Sequence, residues 1–289
     1  MPGELLSSFS VTNTDKWPRG SEPVQRYWLR KQASLAQYAD LTRDARLMVR
    51  VKTFYDNGLC EIRDQLRWVI ENSGDEALPD RGEINNSGDI LETALILGSW
   101  GHLVAYQDAE RIVRGHMLPS QLRDVSFIGD PPNLGGEDGL RDVAARHLGA
   151  FGFPAPYGQK PLHADRVSFN MDIVGGGVAS LCEAHVASAA HGDDGHRVNL
   201  CFDHENSEVA VTSPYTGGQL SVRVKKPAPL WVRMPEWVTE SVSVTGAEEP
   251  PLCLPGYLFF ARPPIGRALV FDILLVESTI TLHSPDAHY

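Results

Sequence analysis

Residues 218–237 read GQLSVRVKKPAPLWVRMPEW, and this stretch decides the fold class of the second half of the chain. It holds two short β-type runs joined by a proline-containing turn. Five further runs of the same kind surround it, divided by glycine and proline: HRVNLCFDH, SEVAVTSP, SVSVTG, GYLFFARPP and ALVFDILL. Short runs between such turns are typical of an all-β module. We therefore predict a C-terminal antiparallel β-sandwich over residues 196–283.

The residues before this module follow helical periodicity. Residues 1–22 predict a polar tail, and residues 23–195 predict a domain of packed helices. The segment that begins VQRYWLRKQ has apolar residues at helical intervals and is stopped by DNG, and LCEIRDQLRWVIEN is a short amphipathic helix. DILETALILGSWGHLVAY is apolar nearly all round, which predicts a buried helix. Two more helices are predicted from QDAERIVRGHMLPSQL, which is stopped at Pro119, and from FNMDIVGGGVASLCEAHVASAA. The second of these is also expected to be buried.

The charge of the chain bears on its partners. The net charge is −11, and an acidic protein is poorly suited to nucleic acid, whose phosphates require a basic patch. RVKKPAP is the only dense basic stretch, and we interpret it as a solvated strand edge. HGDDGH, between His191 and His196, is interpreted as a polar turn into the sandwich.

Cysteine usage and the missing targeting signals suggest a location. Cys60, Cys182, Cys201 and Cys253 form no CxxC pair, so no zinc finger or redox motif is visible, and scattered thiols suggest a reducing compartment. No signal peptide or membrane-spanning apolar run is visible. We expect a soluble, cytoplasmic protein with no membrane partner.

Acidic residues concentrate in GDEALPDRGEINNSGDILETALILG, residues 74–98. Residues 73–88 predict a loop, and Ser87 or Asp89 could cap the helix that follows. Glu92 precedes the apolar TALILG, so its carboxylate should be partly buried and needs a partner. Asp89 lies three residues earlier on the same helical face. Its alternative role is to complement the helix dipole.

Spaced motifs in both halves resemble glycoside hydrolase family 127, which includes β-L-arabinofuranosidases. Glu76 in DEA and Glu92 in ETA match the family's GEA and ETC motifs at the family's separation, and ASLCEAH…VNLCF resembles the junction between its two domains. The sandwich shares with the family a basic strand that ends in proline, the pattern LxxRxPxW, a VxVNG-like hairpin, then GY and a glycine turn. The matching residues are Leu230, Arg233, Pro235, Trp237, Val242, Val244, Gly246, Gly256, Tyr257 and Gly266.

The resemblance implies an (α/α)6 toroid before the sandwich, but this chain departs from the family twice. The family's zinc-binding cysteines are replaced by Ala94 and by NMD at Asn170–Asp172, and Cys182 is expected to be a buried packing residue. Without thiolates no zinc is expected, and we predict no metal and no cofactor. The helical region is also shorter than a toroid, so we expect an incomplete or reduced toroid-like domain. Either the chain is truncated at its N-terminus or a homo-oligomer completes the barrel, because an open half would expose apolar surface.

The resemblance further implies carbohydrate chemistry. The expected reaction is hydrolysis of a terminal glycosidic bond, such as that of an arabinofuranoside, with Glu76 as general acid and with Glu92 and Asp172 or Asp89 as base or nucleophile. The glycines of NMDIVGGG suit close helix packing, which we favour over close approach of a ligand. Candidate substrate-binding residues are Asn85, Asn86, His163, Asp165 and Tyr157. The two asparagines suit a turn equally well, and FGFPAPYG, which holds Tyr157, suits loop packing as well as sugar stacking.

Two alternatives from other classes stay open. The missing cysteines and the short helical region fit a non-catalytic relative that binds glycan or scaffolds an assembly. The same fold could also carry lyase or isomerase chemistry.

Overall fold

The computed structural model of this 289-residue chain describes residues 22–58, 84–126, 142–151, 171–238 and 242–275, with residues 277 and 279. The helices are α1 (Glu22–Thr42), α2 (Ala45–Asn57), α3 (Ile84–Ser99), α4 (Leu103–Ile112), α5 (Leu118–Ser120), α6 (Val143–Arg146), α7 (Met171–Ser188) and α8 (Pro214–Gly217), and a π-helical turn (Val113–Met117) links α4 to α5. None of the helices in these ranges combines the length and the apolarity that crossing a membrane requires.

The first predicted helical segment is two helices. Arg43 takes a left-handed φ of 55° between them, and the Asp44 side chain caps α2 by accepting hydrogen bonds from the backbone N–H groups of Arg46 and Leu47, both at 3.0 Å. The helix then ends at Asn57 with Gly58 as its C-cap, which confirms the stop predicted from DNG. The predicted tail and the LCEIRDQLRWVIEN helix lie outside the described residues, apart from Glu22, which begins α1.

α3 begins earlier than predicted. It is already helical at Ile84, so the predicted loop does not reach residue 88 and the capping roles proposed for Ser87 and Asp89 are wrong. The Ser87 hydroxyl instead lies 2.7 Å from Nδ1 of His116 in the core. Burial lowers the pKa of His116 to about 3, so this imidazole is neutral. A hydrogen bond to a buried partner thus accounts for a serine inside the helix.

The predicted single helix over residues 89–106 is also wrong. The chain turns at Trp100–His102, where Gly101 has a φ of +92°, a conformation that glycine adopts without steric cost. Nε1 of Trp100 donates a 2.7 Å hydrogen bond to Asp40 of α1 and fixes the turn. Downstream, α5 ends one residue after Pro119, close to the predicted stop.

The strands of the described residues are β1 (Ala189–Gly192), β2 (Gly195–Val198), β3 (His204–Glu205), β4 (Val209–Thr212), β5 (Leu220–Val224), β6 (Leu230–Arg233), β7 (Val244–Thr245), β8 (Leu252–Leu254), β9 (Tyr257–Phe260) and β10 (Ala268–Phe271). They form two five-stranded sheets with the orders β1-β2-β6-β9-β8 and β3-β4-β5-β10-β7. The pairings of these strands are antiparallel except that of β2 with β6, which is parallel.

Each of the seven predicted β-type runs contains a strand, whereas β1 and β8 were not predicted. β5 and β6, the two strands of residues 218–237, lie in different sheets, so the KKPAP connection crosses from one sheet to the other. Buried side chains from both sheets meet in one apolar core, including Val222, Val232, Leu269 and Phe271. A proline-containing crossover suits this position because proline cannot donate to a strand ladder.

A buried ion pair connects α4 to the sheets. Nη2 of Arg233, at the end of β6, lies 2.7 Å from Oε1 of Glu110 on α4, and the two side chains are 1% and 4% exposed. Nη1 of Arg233 contacts Oε1 of Gln107 at 3.4 Å, and Nε donates to the backbone oxygen of Asn199. Glu110 also accepts a hydrogen bond from the backbone N–H of Cys201. Both charges are therefore held by partners on several elements, as buried charges require.

The expectation that Cys182 is buried is wrong. It lies on α7, as predicted, but is exposed. Val178 and Val186, four residues to either side, are exposed as well. These three residues define an α7 outer stripe. Because α7 is apolar nearly all round, periodicity could not show which of its faces is covered.

Candidate functional site

One polar stripe of α3 reaches solvent. α3 packs against α1, α4 and α7, and most of its residues are buried. The residues that are not fully buried follow helical spacing and form the α3 stripe: Asn85, Asp89, Glu92, Ile96 and Ser99. The prediction that Asp89 and Glu92 share a face is confirmed, and Asn85 lies one turn before them.

Glu92 is flanked by polar side chains from two neighbouring helices. Nε2 of Gln37 on α1 donates a hydrogen bond to Oε1 of Glu92. On α7, Glu183 lies close enough for the Glu92 charge to act on it. Partial burial, and secondarily the Glu92 carboxylate, raise the pKa of the Glu183 carboxyl above its ordinary value, although Glu183 remains accessible to solvent. Glu92 therefore has an amide donor as its partner and lies within electrostatic reach of a carboxyl group whose pKa is raised.

This arrangement suits acid–base chemistry. A carboxyl group with a raised pKa can act as a proton donor, and a neighbouring carboxylate can act as a base or nucleophile. Glycoside hydrolysis uses such a pair. The expectation that an acid at position 92 needs a partner is met by Gln37.

The close approach of α3 and α7 sets the position of this pair. A Cβ on Gly88 of α3 would lie 2.3 Å from Oγ of Ser180, and one on Gly176 of α7 would lie 1.9 Å from Oδ1 of Asn85. A Cβ on Gly177 would lie 2.6 Å from the ring of Phe151. Packing is thus the role of two glycines of the GGG motif, while the position of Gly175 is open.

Substitutions in the GGG motif should separate these roles. We expect Gly177→Ala to lower the free energy of unfolding by about 1–3 kcal/mol, because the buried Phe151 ring must move to admit a methyl group. Gly175→Ala is the matched control and should raise the free energy of unfolding by about 0.5–1 kcal/mol, because alanine favours the helix and meets no atom. Urea denaturation measures both. Equal effects would contradict the packing role of Gly177.

The raised pKa of Glu183 predicts a pH-dependent stability. The folded state favours the protonated carboxyl, so this group's stabilising contribution is complete below its ordinary pKa of 4.5 and is lost as the pH rises through the folded pKa. Glu183→Gln should therefore be more stable than the wild type at pH 7, by no more than about 0.5 kcal/mol because solvent screens an accessible group. The difference should vanish below pH 4.5.

Glu205→Gln is the control for this measurement. The hydrogen bond from Lys225 lowers the pKa of Glu205, so this substitution should have the opposite sign at neutral pH. Urea denaturation of both variants between pH 4 and pH 7 makes the comparison. A Glu183→Gln variant that is less stable than the wild type throughout this range would refute the predicted linkage.

The other predicted site residues are placed as follows. Asn86 is 3% exposed and lies outside the α3 stripe, and Asp172 lies in the first turn of α7. Four predicted site residues lie outside the described residues and stay predictions: Glu76, Tyr157, His163 and Asp165.

The zinc of family 127 does not fit the residues around Glu92. Ala94, in place of the first cysteine, offers no ligand atom, and the partners that the described residues show for Glu92 are the Gln37 amide and, through electrostatics, Glu183, neither of which is a thiolate. A thiolate-bound zinc site needs cysteine side chains, whose soft sulfur atoms ligate the metal. We derive no step through a thiolate-bound zinc at this position.

Sequence reasoning missed Gln37 and Glu183. Glu183 carried a usable signal, because it is an acidic residue between small apolar residues of a helix, much as Glu92 precedes the apolar TALILG. Gln37 carried none, since it is one of several polar residues on an amphipathic helix.

Comparisons with solved structures show a similar fold. A GH127 β-L-arabinofuranosidase from Geobacillus stearothermophilus T6 matches with a TM-score of 0.56 and 14% identity, over 89% of this chain and 43% of that protein. A second GH127 β-arabinofuranosidase matches with a TM-score of 0.56 and 15% identity, over 85% of this chain and 42% of that protein. No family model and no curated protein matches the sequence. The class shown is therefore a glycoside hydrolase-like fold, and the chain spans less than half the length of these neighbours.

Proposed function

We propose that this chain is a carbohydrate-active protein that hydrolyses a terminal glycosidic bond with carboxylates rather than with a zinc-bound cysteine. The observation that carries the proposal is Glu92 on the α3 stripe, which accepts a hydrogen bond from Gln37 and lies near enough to Glu183 of α7 to help raise its pKa. The family 127 neighbours support the same class of reaction through their fold. An arabinofuranoside is the first substrate to test because both neighbours are arabinofuranosidases by name.

The proposed roles follow from the environments of the two groups. Glu92 acts as the ionised base or nucleophile, oriented by the hydrogen bond from Gln37. Glu183 is the proton donor, and Glu76 is the alternative donor. Asp89, one turn from Glu92, and Asp172, at the start of α7, are candidates for a supporting carboxylate.

The architecture around this site is part of the proposal. We interpret the helices as part of an (α/α) toroid-like domain and the two sheets as a β-sandwich. The exposed α7 outer stripe supports completion of the helical domain by a second copy, because a stable monomer rarely exposes a broad apolar surface.

The test is a panel of aryl furanosides and aryl pyranosides, incubated with the purified chain with and without added zinc. Release of the aryl group, with a sugar product that has gained one water, supports hydrolysis. Turnover that is unchanged by zinc supports the carboxylate mechanism. A sugar product that lacks the added water indicates lyase chemistry and contradicts hydrolysis.

The second candidate function is glycan binding without turnover. Two observations favour it: Ala94 replaces a family zinc ligand, and the chain spans less than half of its neighbours. Calorimetric titration with oligosaccharides separates the two functions. Saturable sugar binding without product would establish the binding function and exclude the enzyme.

A further inference from the structure

Two histidines and a glutamate meet where the two sheets come together. His191 of β1 and His196 of β2 are directly opposed in the antiparallel register of these strands. Their Nδ1 atoms lie 3.0 Å apart. Glu208, in the turn between β3 and β4 of the other sheet, completes the group, and one ligand atom from each residue lies within 4.8 Å of the others.

The hydrogen bonds of His196 fix which ring nitrogen can bind a metal. Its Nε2 lies 2.9 Å from the backbone oxygen of Lys226, and Nε2 must carry the proton if it donates to this carbonyl. Nδ1 then accepts the hydrogen bond from Nδ1 of His191, so its lone pair points toward that imidazole, and a metal would take the place of the shared proton. A backbone carbonyl that accepts from the second ring nitrogen is the usual support of a metal-ligating histidine.

We propose that His191, His196 and Glu208 form a binding site for a divalent transition-metal cation, with Zn²⁺ as the preferred ion. Imidazole and carboxylate ligands suit zinc, and three protein ligands leave a fourth tetrahedral position for water. With zinc–nitrogen bonds of about 2.0–2.1 Å, two ligating nitrogens are roughly 3.3 Å apart, close to the observed spacing. Two of its residues lie on strands and Glu208 lies in a turn, and none of the three belongs to the α3 stripe.

The effect of the cation would be to connect the two sheets. His191 and His196 belong to the β1–β2 hairpin of one sheet, and Glu208 belongs to the β3–β4 hairpin of the other. A cation bound by all three would tie these hairpins together in the folded state alone. Binding to the folded state stabilises it by mass action.

Lys226 competes with the cation for Glu208. Its Nζ lies 2.6 Å from Oε1 of Glu208, and its side chain is 58% exposed, so the ammonium group can turn outward into water. The Ser207 hydroxyl also donates to Oε1, at 2.8 Å. Metal binding must displace or tolerate the lysine, and removal of its charge should favour the metal.

The experiment is calorimetric titration of the full chain with ZnCl₂, combined with thermal unfolding with and without zinc. We expect one zinc per chain at this cluster and a higher midpoint of unfolding. His191→Gln should weaken this binding by more than about 100-fold, because even loss of an outer partner of a metal ligand costs about 10- to 100-fold. His191 is exposed, so its replacement should leave the fold intact. Lys226→Gln should tighten binding about two- to five-fold.

His185→Gln is the matched control. His185 is exposed and faces a second, buried histidine, with its ring centroid 4.5 Å from that of His204. We expect this variant to bind zinc as the wild type does. The exposed thiols Cys182 and Cys253 could also bind zinc. Because His191→Gln leaves both thiols in place, the binding that it loses is the binding at the histidine cluster. Equal zinc binding by wild type and His191→Gln, or equal loss in both histidine variants, would overturn the proposal.

Discussion

Arg233→Met is expected to lower the free energy of unfolding by about 3–5 kcal/mol, because it leaves the Glu110 carboxylate buried without its cation. Glu110 lies on α4, and Cys201 would still donate to its carboxylate through the backbone N–H and the thiol, neither of which supplies a positive charge. The substitution also removes the hydrogen bond that Nε of Arg233 donates to the backbone carbonyl of Asn199. Urea denaturation followed by circular dichroism measures the change.

Two comparisons give this prediction its specificity. Arg262→Met removes an ion pair of the same chemistry with Glu249, at 2.8 Å, but the two side chains are 81% and 63% exposed. Its cost should be below about 1 kcal/mol because water solvates both charges. The double variant Arg233→Met with Glu110→Leu should cost less than the sum of the single changes, because it leaves no unpaired charge. Similar costs for Arg233→Met and Arg262→Met would contradict the model of a buried pair.

The ion pair also explains a motif that the sequence could identify but not interpret. Arg233 belongs to the LxxRxPxW pattern, and its partner lies 123 residues earlier in the chain. Local periodicity predicted β6 because the strand preference of alternating and β-branched residues is set by a segment of only a few residues. It carries no information on which helix would face the end of that strand.

For the candidate site too, the sequence predicted the local helix geometry but not the tertiary contacts. The placement of Asp89 and Glu92 on one face follows from helix geometry alone, and the structure confirms it. The early start of α3 was missed because INNSGD has the composition of a turn, and tertiary contacts such as Ser87 with His116 override that preference. Glycines at positions 88 and 176 let α3 and α7 pack closely, and the influence of Glu92 on Glu183 acts across this tertiary contact, which neither segment reveals by itself.

Glu92→Gln is expected to reduce turnover by about 100- to 10,000-fold on any aryl glycoside that the chain hydrolyses, because an uncharged amide cannot act as base or nucleophile. The amide should preserve the fold, since its oxygen can still accept the hydrogen bond from Gln37. The measurement is kcat for wild type and variant on the same substrate, together with the urea midpoint of each.

Glu183→Gln and Glu205→Gln place this result in the proposed mechanism. If Glu183 is the proton donor, its substitution should reduce kcat most for substrates with poor leaving groups, because activated aryl groups leave without protonation. Glu205 is exposed on β3 and pairs with Lys225, so Glu205→Gln should leave turnover unchanged. Full activity in Glu92→Gln would remove the carboxylate pair from the mechanism. Loss in Glu92→Gln but not in Glu183→Gln would keep Glu92 as the reacting carboxylate and assign proton donation to another acid, of which Glu76 is the first candidate.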